Sequence, residues 1–286
     1  MPVRRSSIAG TWYPGSAAAL AAAVDGYLAD AESQEGAVMH GGDLLALVAP
    51  HAGLVYSGPV AAHAYRLLRN RRFDVAILVG PSHFTAFDGV AVVPDGGFET
   101  PLGVVAIDAG CVADLRRATA AVREHGPAHA REHSLEMQLP FLQRLAPATA
   151  IVPLLMGEQT AGLAEELGGA LAAVVKGRRA LLVASTDLSH YHDAATAATL
   201  DAVVIRCVSD FDPDGLQRAL DRRPDHACGG GPTVAVMRAA RDLGGRQARV
   251  LRYADSGDVS GDKQSVVGYL AAALGTFTGA NEVPLP

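Results

Sequence analysis

Short apolar runs alternate along this chain with longer segments of helical period, the pattern of repeated βαβ units. Residues 44–49 run from a Gly-Gly pair to Pro50, and residues 75–79, 151–156 and 180–184 have the same character. Too short for helices and apolar on both faces, they predict buried strands of a largely parallel or mixed sheet. Residues 90–93 and 104–107 predict a hairpin-like excursion around Thr100-Pro101-Leu102-Gly103, and residues 249–253 and 265–270 predict two late strands. Helical period covers 17–29, 60–68, 109–122, 135–145, 161–175, 194–208, 213–220 and 232–243. Pro213 and Pro232 fall at first-turn positions, where a missing N–H costs nothing. The expected fold is one α/β domain over residues 1–286, a central sheet flanked by helices, with a loose tail at 276–286.

Composition changes this picture little. With 49% hydrophobic and 19% charged residues, the 286-residue chain is an ordinary globular one, long enough for a large core. A net charge of -6 argues against nucleic acid as a partner, because phosphate binding wants a basic surface. The first residues, MPVRRSSIAGTWYPG, have two arginines but no apolar stretch after them, and no run of 18 apolar residues exists. Neither a secretory signal nor a membrane partner is expected. Three widely spaced cysteines are not a disulfide framework and fit a reducing cytoplasm.

The chemistry gathers just past the predicted strands. His51 follows the first, His83 the second, and Asp187 and His190 follow the run at 180–184. Loops leaving the carboxyl ends of parallel strands share one edge of the sheet, and ligands bind there. Each residue has a plainer reading: a histidine there serves as a hydrogen-bonded loop residue, and Asp187 as a helix cap or the partner of His190 in a salt bridge. Four of them converging on one edge outweigh those readings taken singly.

Cys228, in Ala227-Cys228-Gly229-Gly230-Gly231-Pro232, precedes a helix, and a thiol at a helix N-terminus has a lowered pKa. Its competitor is a small buried cysteine beside a flexible turn. In Glu132-His133-Ser134-Leu135-Glu136, Ser134 reads as an N-cap and Glu136 as a first-turn acid. His133 is then either structural or an acid–base group of the cleft. Cys111, Cys207 and His63 read as packing, Trp12 as an anchor for the N-terminal arm, and residues 255–258 as a polar turn. Tyr56 and Tyr191 are candidates for the cleft wall, and His40, His125 and His129 receive no role.

Taken in order, Ala9-Gly10-Thr11-Trp12-Tyr13-Pro14, Pro50-His51-Ala52-Gly53, Tyr56-Ser57-Gly58, Gly80-Pro81-Ser82-His83, Glu132-His133-Ser134-Leu135-Glu136, the segment Ser185-Thr186-Asp187-Leu188-Ser189-His190-Tyr191 and Cys228-Gly229-Gly230 resemble the Memo family. Its bacterial members are often labelled AmmeMemoRadiSam system protein B. The resemblance spans nearly the whole chain. It implies a fold like the LigB-like class III extradiol dioxygenases, which use non-haem Fe(II). It also implies metal-ligand positions at His51, His83 and Cys228, with Asp187 and His190 in the same cleft; the expected catalytic groups are Asp187, His190 and His133. Iron or copper binding, redox chemistry and, in animals, phosphopeptide binding are associated with the family.

A thiolate beside two imidazoles is softer than the two-histidine, one-carboxylate triad of the dioxygenases, and suits copper(I), zinc or thiolate-bound iron. Three functions follow from these expectations. One is an iron- or copper-dependent oxidoreductase. The second is a non-catalytic metal carrier or binding protein whose cleft takes a small molecule, a peptide or a radical-SAM partner. The third is a zinc hydrolase with an open water position.

Overall fold

A computed structural model describes residues 2–34 and 42–277, so His40 and the predicted tail beyond Phe277 lie outside the described residues. Its strands are β1 Val3–Arg4, β2 Leu44–Ala49, β3 Val75–Pro81, β4 Val90–Val92, β5 Gly97–Thr100, β6 Gly103–Ala106, β7 Val122–Glu124, β8 Ala150–Met156, β9 Ala180–Ser185, β10 His190–His192, β11 Gln247–Asp255 and β12 Val266–Gly275. Nine of them form one sheet in the order β10-β12-β2-β9-β3-β8-β4-β7, with β11 on β12. β2, β9, β3 and β8 are parallel neighbours, whereas β12 and β4 flank them antiparallel. The sheet is therefore mixed around a parallel centre, and helices flank it.

Strands β3, β8 and β9 are buried along almost their whole length, as continuous Val, Ile, Leu and Ala runs covered on both faces must be. The helices start on side-chain caps: Ser16, Asp108, Thr160, Asp193 and Asp212 each accept a backbone N–H of the first turn. Pro213 occupies the first turn of its helix as expected, and Pro232 is the third residue of Gly230–Asp242.

Several local expectations change. The hairpin forms between β5 and β6, whereas Val90–Val92 joins the main sheet between β8 and β7. A three-residue apolar run suits either place, and the free edge of β8 decides it. The helix expected at 60–68 starts at Leu54 and ends in a 3-10 turn, Arg66–Leu68. Pro59, inside it, removes only one early bond of the ladder. Ser134 is no cap: its hydroxyl donates to the Pro81 carbonyl, and the helix begins only at Leu139 after a 3-10 turn. The expected turn at 255–258 includes the start of a short helix, Gly257–Ser260, where Asp255 and Asp258 both pair with Lys263.

Candidate metal centre

The register of the parallel strands brings the donors together. Ala49 lies opposite Ser185, and Val79 opposite Ala184, so the chain leaves β2, β9 and β3 side by side at one edge. The loops there carry His51, Asp187 and His83. Cys228 arrives from the turn before helix Gly230–Asp242 and is pinned to the loop after β9: Cys228 N–H donates to the Asp187 carbonyl at 3.2 Å, and Gly229 N–H to Thr186 Oγ1 at 2.9 Å. A Cβ at Gly229 would stand 2.4 Å from the Ser185 carbonyl oxygen, so only glycine lets the two backbones come this close. Gly80, at the end of β3, is constrained likewise by Ser134 and Leu135.

One ring nitrogen each from His51 and His83 and the Cys228 sulfur lie within 4.8 Å of one another. Hydrogen bonding decides which nitrogens these are. Ser185 Oγ must donate to the Ser134 carbonyl (2.6 Å), because that oxygen only accepts. It accepts from Gln138 Nε2 (2.7 Å), whose amide is oriented by the Pro50 carbonyl and by the Tyr65 hydroxyl on Oε1. Its remaining lone pair can only accept the proton of His51 Nδ1, 2.9 Å away. His51 is thus the Nδ1–H tautomer, with the Nε2 lone pair turned towards Cys228, whose thiol lies 3.2 Å from it. Burial pushes the His51 pKa well below its ordinary value, reinforced by His83 and His133, so the ring stays neutral.

His83 is held by Glu132. One carboxylate oxygen accepts from His83 Nδ1 at 2.9 Å, the other from His83 N–H at 2.6 Å, and the amides of His133 and Ser134 complete the set. Burial opposes the charge on Glu132, but these donors outweigh it and hold its pKa at about 2. Glu132, His83 and His133 also lie within ligand distance of one another. With its oxygens already bonded to His83 and to two amides, Glu132 serves as the orienting carboxylate that metal-binding histidines ordinarily have.

Asp187 caps no helix of its own, and its segment is not helical: residues 187–189 form a loop leading into β10. Its carboxylate accepts His51 N–H at 2.7 Å, and burial raises its pKa to about 7 against the amides of His51 and Ala52. His190 starts β10, half-buried, its pKa lowered by burial. His133 stacks on His83 at 4.6 Å, with Trp12 on it at 4.3 Å, and burial lowers its pKa to about 4. The expected lowering at Cys228 is reversed. Burial of the sulfur, then the nearby Asp187 carboxylate, raise the thiol, outweighing the hydrogen bonds from the Asp187 amide and Thr186.

The remaining candidates separate from the centre. His63 is buried beside Arg66 and Arg252, Cys111 is buried in its helix, and His125 caps the short helix Gly126–His129. Trp12 is more than the expected anchor, since its ring reaches His133 at the cleft while Tyr13 beside it is the buried one. Ser185, Gln138 and the orienting role of Glu132 were not foreseen. Ser185 is the last residue of a strand, a position that carries no sign of chemistry.

The donors fit a bound ion: the neutral His51 ring with its lone pair preset, the His83 ring oriented by Glu132, one thiol, and partners that hold them. Comparison with known proteins agrees in fold and family. The family described as "Memo-like protein" matches residues 4–273. A MEMO1 family protein of Nitrosopumilus maritimus is 31% identical over 93% of this chain and 98% of its own length. That of Methanosarcina mazei is 40% identical over 83% of this chain and 88% of its own. The crystal structure of an uncharacterized Escherichia coli K12 protein shares the fold, with a TM-score of 0.52 and 16% identity over 80% of this chain and 99% of that one. The chain belongs to the Memo-like family.

Proposed function

We propose that this protein holds one metal ion between His51 Nε2, His83 Nε2 and Cys228 Sγ and uses it in redox chemistry, with iron or copper as the ion. The observation that carries the reading is the fixing of the His51 tautomer by a saturated Ser185 hydroxyl, which leaves Nε2 as a lone pair facing the thiol. His83 is prepared in the same way by Glu132. When bound, the ion supplies the electron-transfer or Lewis-acid chemistry that the side chains lack.

The chain's own groups handle protons. Asp187, with a pKa of about 7, is able to hold or release one near neutrality. His190 and His133, both depressed, are neutral there and serve as acceptors. Loading the centre requires the Cys228 thiol to lose its proton, which makes uptake steeper as pH rises.

A second reading, a carrier or binding protein that uses the same cleft for a peptide or a radical-SAM partner, is favoured by exposed rings around it. Phe84, 53% exposed, and Trp12 both pack on His133, and Tyr191 lies against His190. The deciding experiment is elemental analysis of anaerobically purified protein. One equivalent of iron or copper is expected, lost in a His51→Ala/His83→Ala double variant and reduced in Cys228→Ser. Metal-free wild type overturns the reading. A partner that binds equally well after loss of His51 and Cys228 supports the carrier instead.

A further inference from the structure

The loop that holds Glu132 and His133 does not stand by itself; residues 4–13 clamp it. Glu136 is completely buried, yet its carboxylate is the most heavily bonded acid of the site. It pairs with Arg4 Nη1 at 2.5 Å and accepts from Ser6 Oγ at 2.6 Å, from the Ser7 hydroxyl and amide, and from Tyr13 Oη at 2.7 Å. Those donors, with Arg4, outweigh the burial that works against its charge and lower its pKa. Arg4 does more than neutralise it. The same guanidinium donates through Nη2 to the Glu132 carbonyl and through Nε to the His129 carbonyl, both at 2.5 Å, and lies over the Phe98 ring. One fork thus grips a carboxylate and two backbone carbonyls, a task for planar guanidinium geometry that a point charge cannot perform.

We infer that the N-terminal arm is a working part of the metal centre, with Arg4 and Glu136 as positioning residues that set the His83 ligand through Glu132. This rests on the proposed metal site. Arg4 fixes the carbonyl of Glu132, and through it the peptide from which the Glu132 side chain reaches His83. On the other side of the same loop, Ser134 is tied to the end of β3, two residues before His83. The arm also delivers Trp12 to His133, which stacks on His83. With the arm displaced, the partner of His83 Nδ1 loses its support and the ring its fixed direction.

Linkage makes the coupling reciprocal: if arm docking tightens metal binding by some factor, metal binding tightens the arm by the same factor. The amides of Ser7 and Ile8, which donate to Glu136, report on docking directly.

The test uses full-length protein titrated with cobalt(II), whose thiolate charge-transfer and ligand-field bands report Cys228 and the geometry of its partners. Arg4→Lys keeps a cation beside Glu136 but gives up the fork. It is expected to weaken cobalt binding about ten-fold, the order seen when an orienting partner of a ligand is lost, and to shift the ligand-field bands. Tyr13→Phe, which removes one donor and keeps the ring, is a milder second variant with a smaller effect of the same sign. In wild type, cobalt or zinc is expected to slow hydrogen exchange at Ser7 and Ile8. A wild type that binds cobalt, with Arg4→Lys matching it in affinity and spectrum and no change in arm exchange, overturns the inference and leaves the metal site standing. A wild type that binds no cobalt overturns both.

Discussion

Replacing Ser185 with alanine tests the tautomer argument at its narrowest point. The hydroxyl serves three partners: it donates to the Ser134 carbonyl and accepts from Gln138 and His51. Gln138 Nε2 keeps the Pro50 carbonyl at 3.0 Å, so Ser185→Ala strands two buried groups, the Ser134 carbonyl and His51 Nδ1–H. At about 1–3 kcal/mol for each unpaired group, the folded state loses roughly 2–6 kcal/mol. The metal loses more than stability. Without an acceptor on Nδ1, the ring is free to rotate or to carry its proton on Nε2, and loss of such a partner costs about 10–100-fold in metal affinity. Zinc affinity is read by competition with a chromophoric chelator, stability by urea unfolding of the metal-free protein. Tyr65→Phe is the control. It strands Gln138 Oε1 one bond further out, so it should cost about 1–3 kcal/mol of stability with affinity near that of wild type. Folded Ser185→Ala with wild-type zinc affinity would refute the reasoning.

Three further outcomes follow from the same geometry. Glu132→Gln leaves His83 with a neutral partner and should weaken zinc binding about 10–100-fold, measured by the same competition. Gly229→Ala sets a Cβ 2.4 Å from the Ser185 carbonyl and 2.8 Å from Thr186 Cβ, an overpacking cost of about 1–3 kcal/mol, and should reduce bound metal by shifting Cys228. Elemental analysis with urea unfolding checks both effects. His129 is buried with its pKa lowered to about 4, so its deprotonated form is the one the fold favours. Its contribution is complete above about pH 6.5, its ordinary value. It is lost as pH falls towards 4, about 3 kcal/mol in all. Urea unfolding from pH 7.5 to 5 should therefore show a shallower loss in His129→Gln than in wild type, and identical slopes would count against the assignment.

The donors of this centre were legible in the sequence because their placement is a local matter. His51, His83 and Asp187 each follow an apolar run of strand length, and the rule that parallel strands end at one edge brings them together before any contact is known. The register of β2, β9 and β3 then does what the pattern implies. What was not legible is what each donor does, because that is fixed from far along the chain. Asp187 read as a helix cap or salt-bridge partner, yet it holds the backbone of His51, 136 residues away. Cys228 read as an acidic thiol at a helix end, but burial beside Asp187 reverses the sign. Ser134 read as an N-cap, and the closeness of β3 turned its hydroxyl to Pro81 instead.

The same separation explains how the site is built. The strands determine where His51 and His83 stand. Ser185, 134 residues from His51, and Glu132, 49 residues from His83, determine which nitrogen each presents. Neither partner is itself part of the His51, His83 and Cys228 donor set, and each is buried and fully bonded, so neither can move without stranding another group. An imidazole held this way enters metal binding with its proton already on the far nitrogen. For His51, whose ring stays neutral, orientation and tautomer then cost little when the ion arrives, and the Cys228 thiol must still lose its proton. Binding in this protein should consequently be limited by the thiol and not by His51. Raising the pH should strengthen binding to the wild type, while Cys228→Ser should lose most of that dependence.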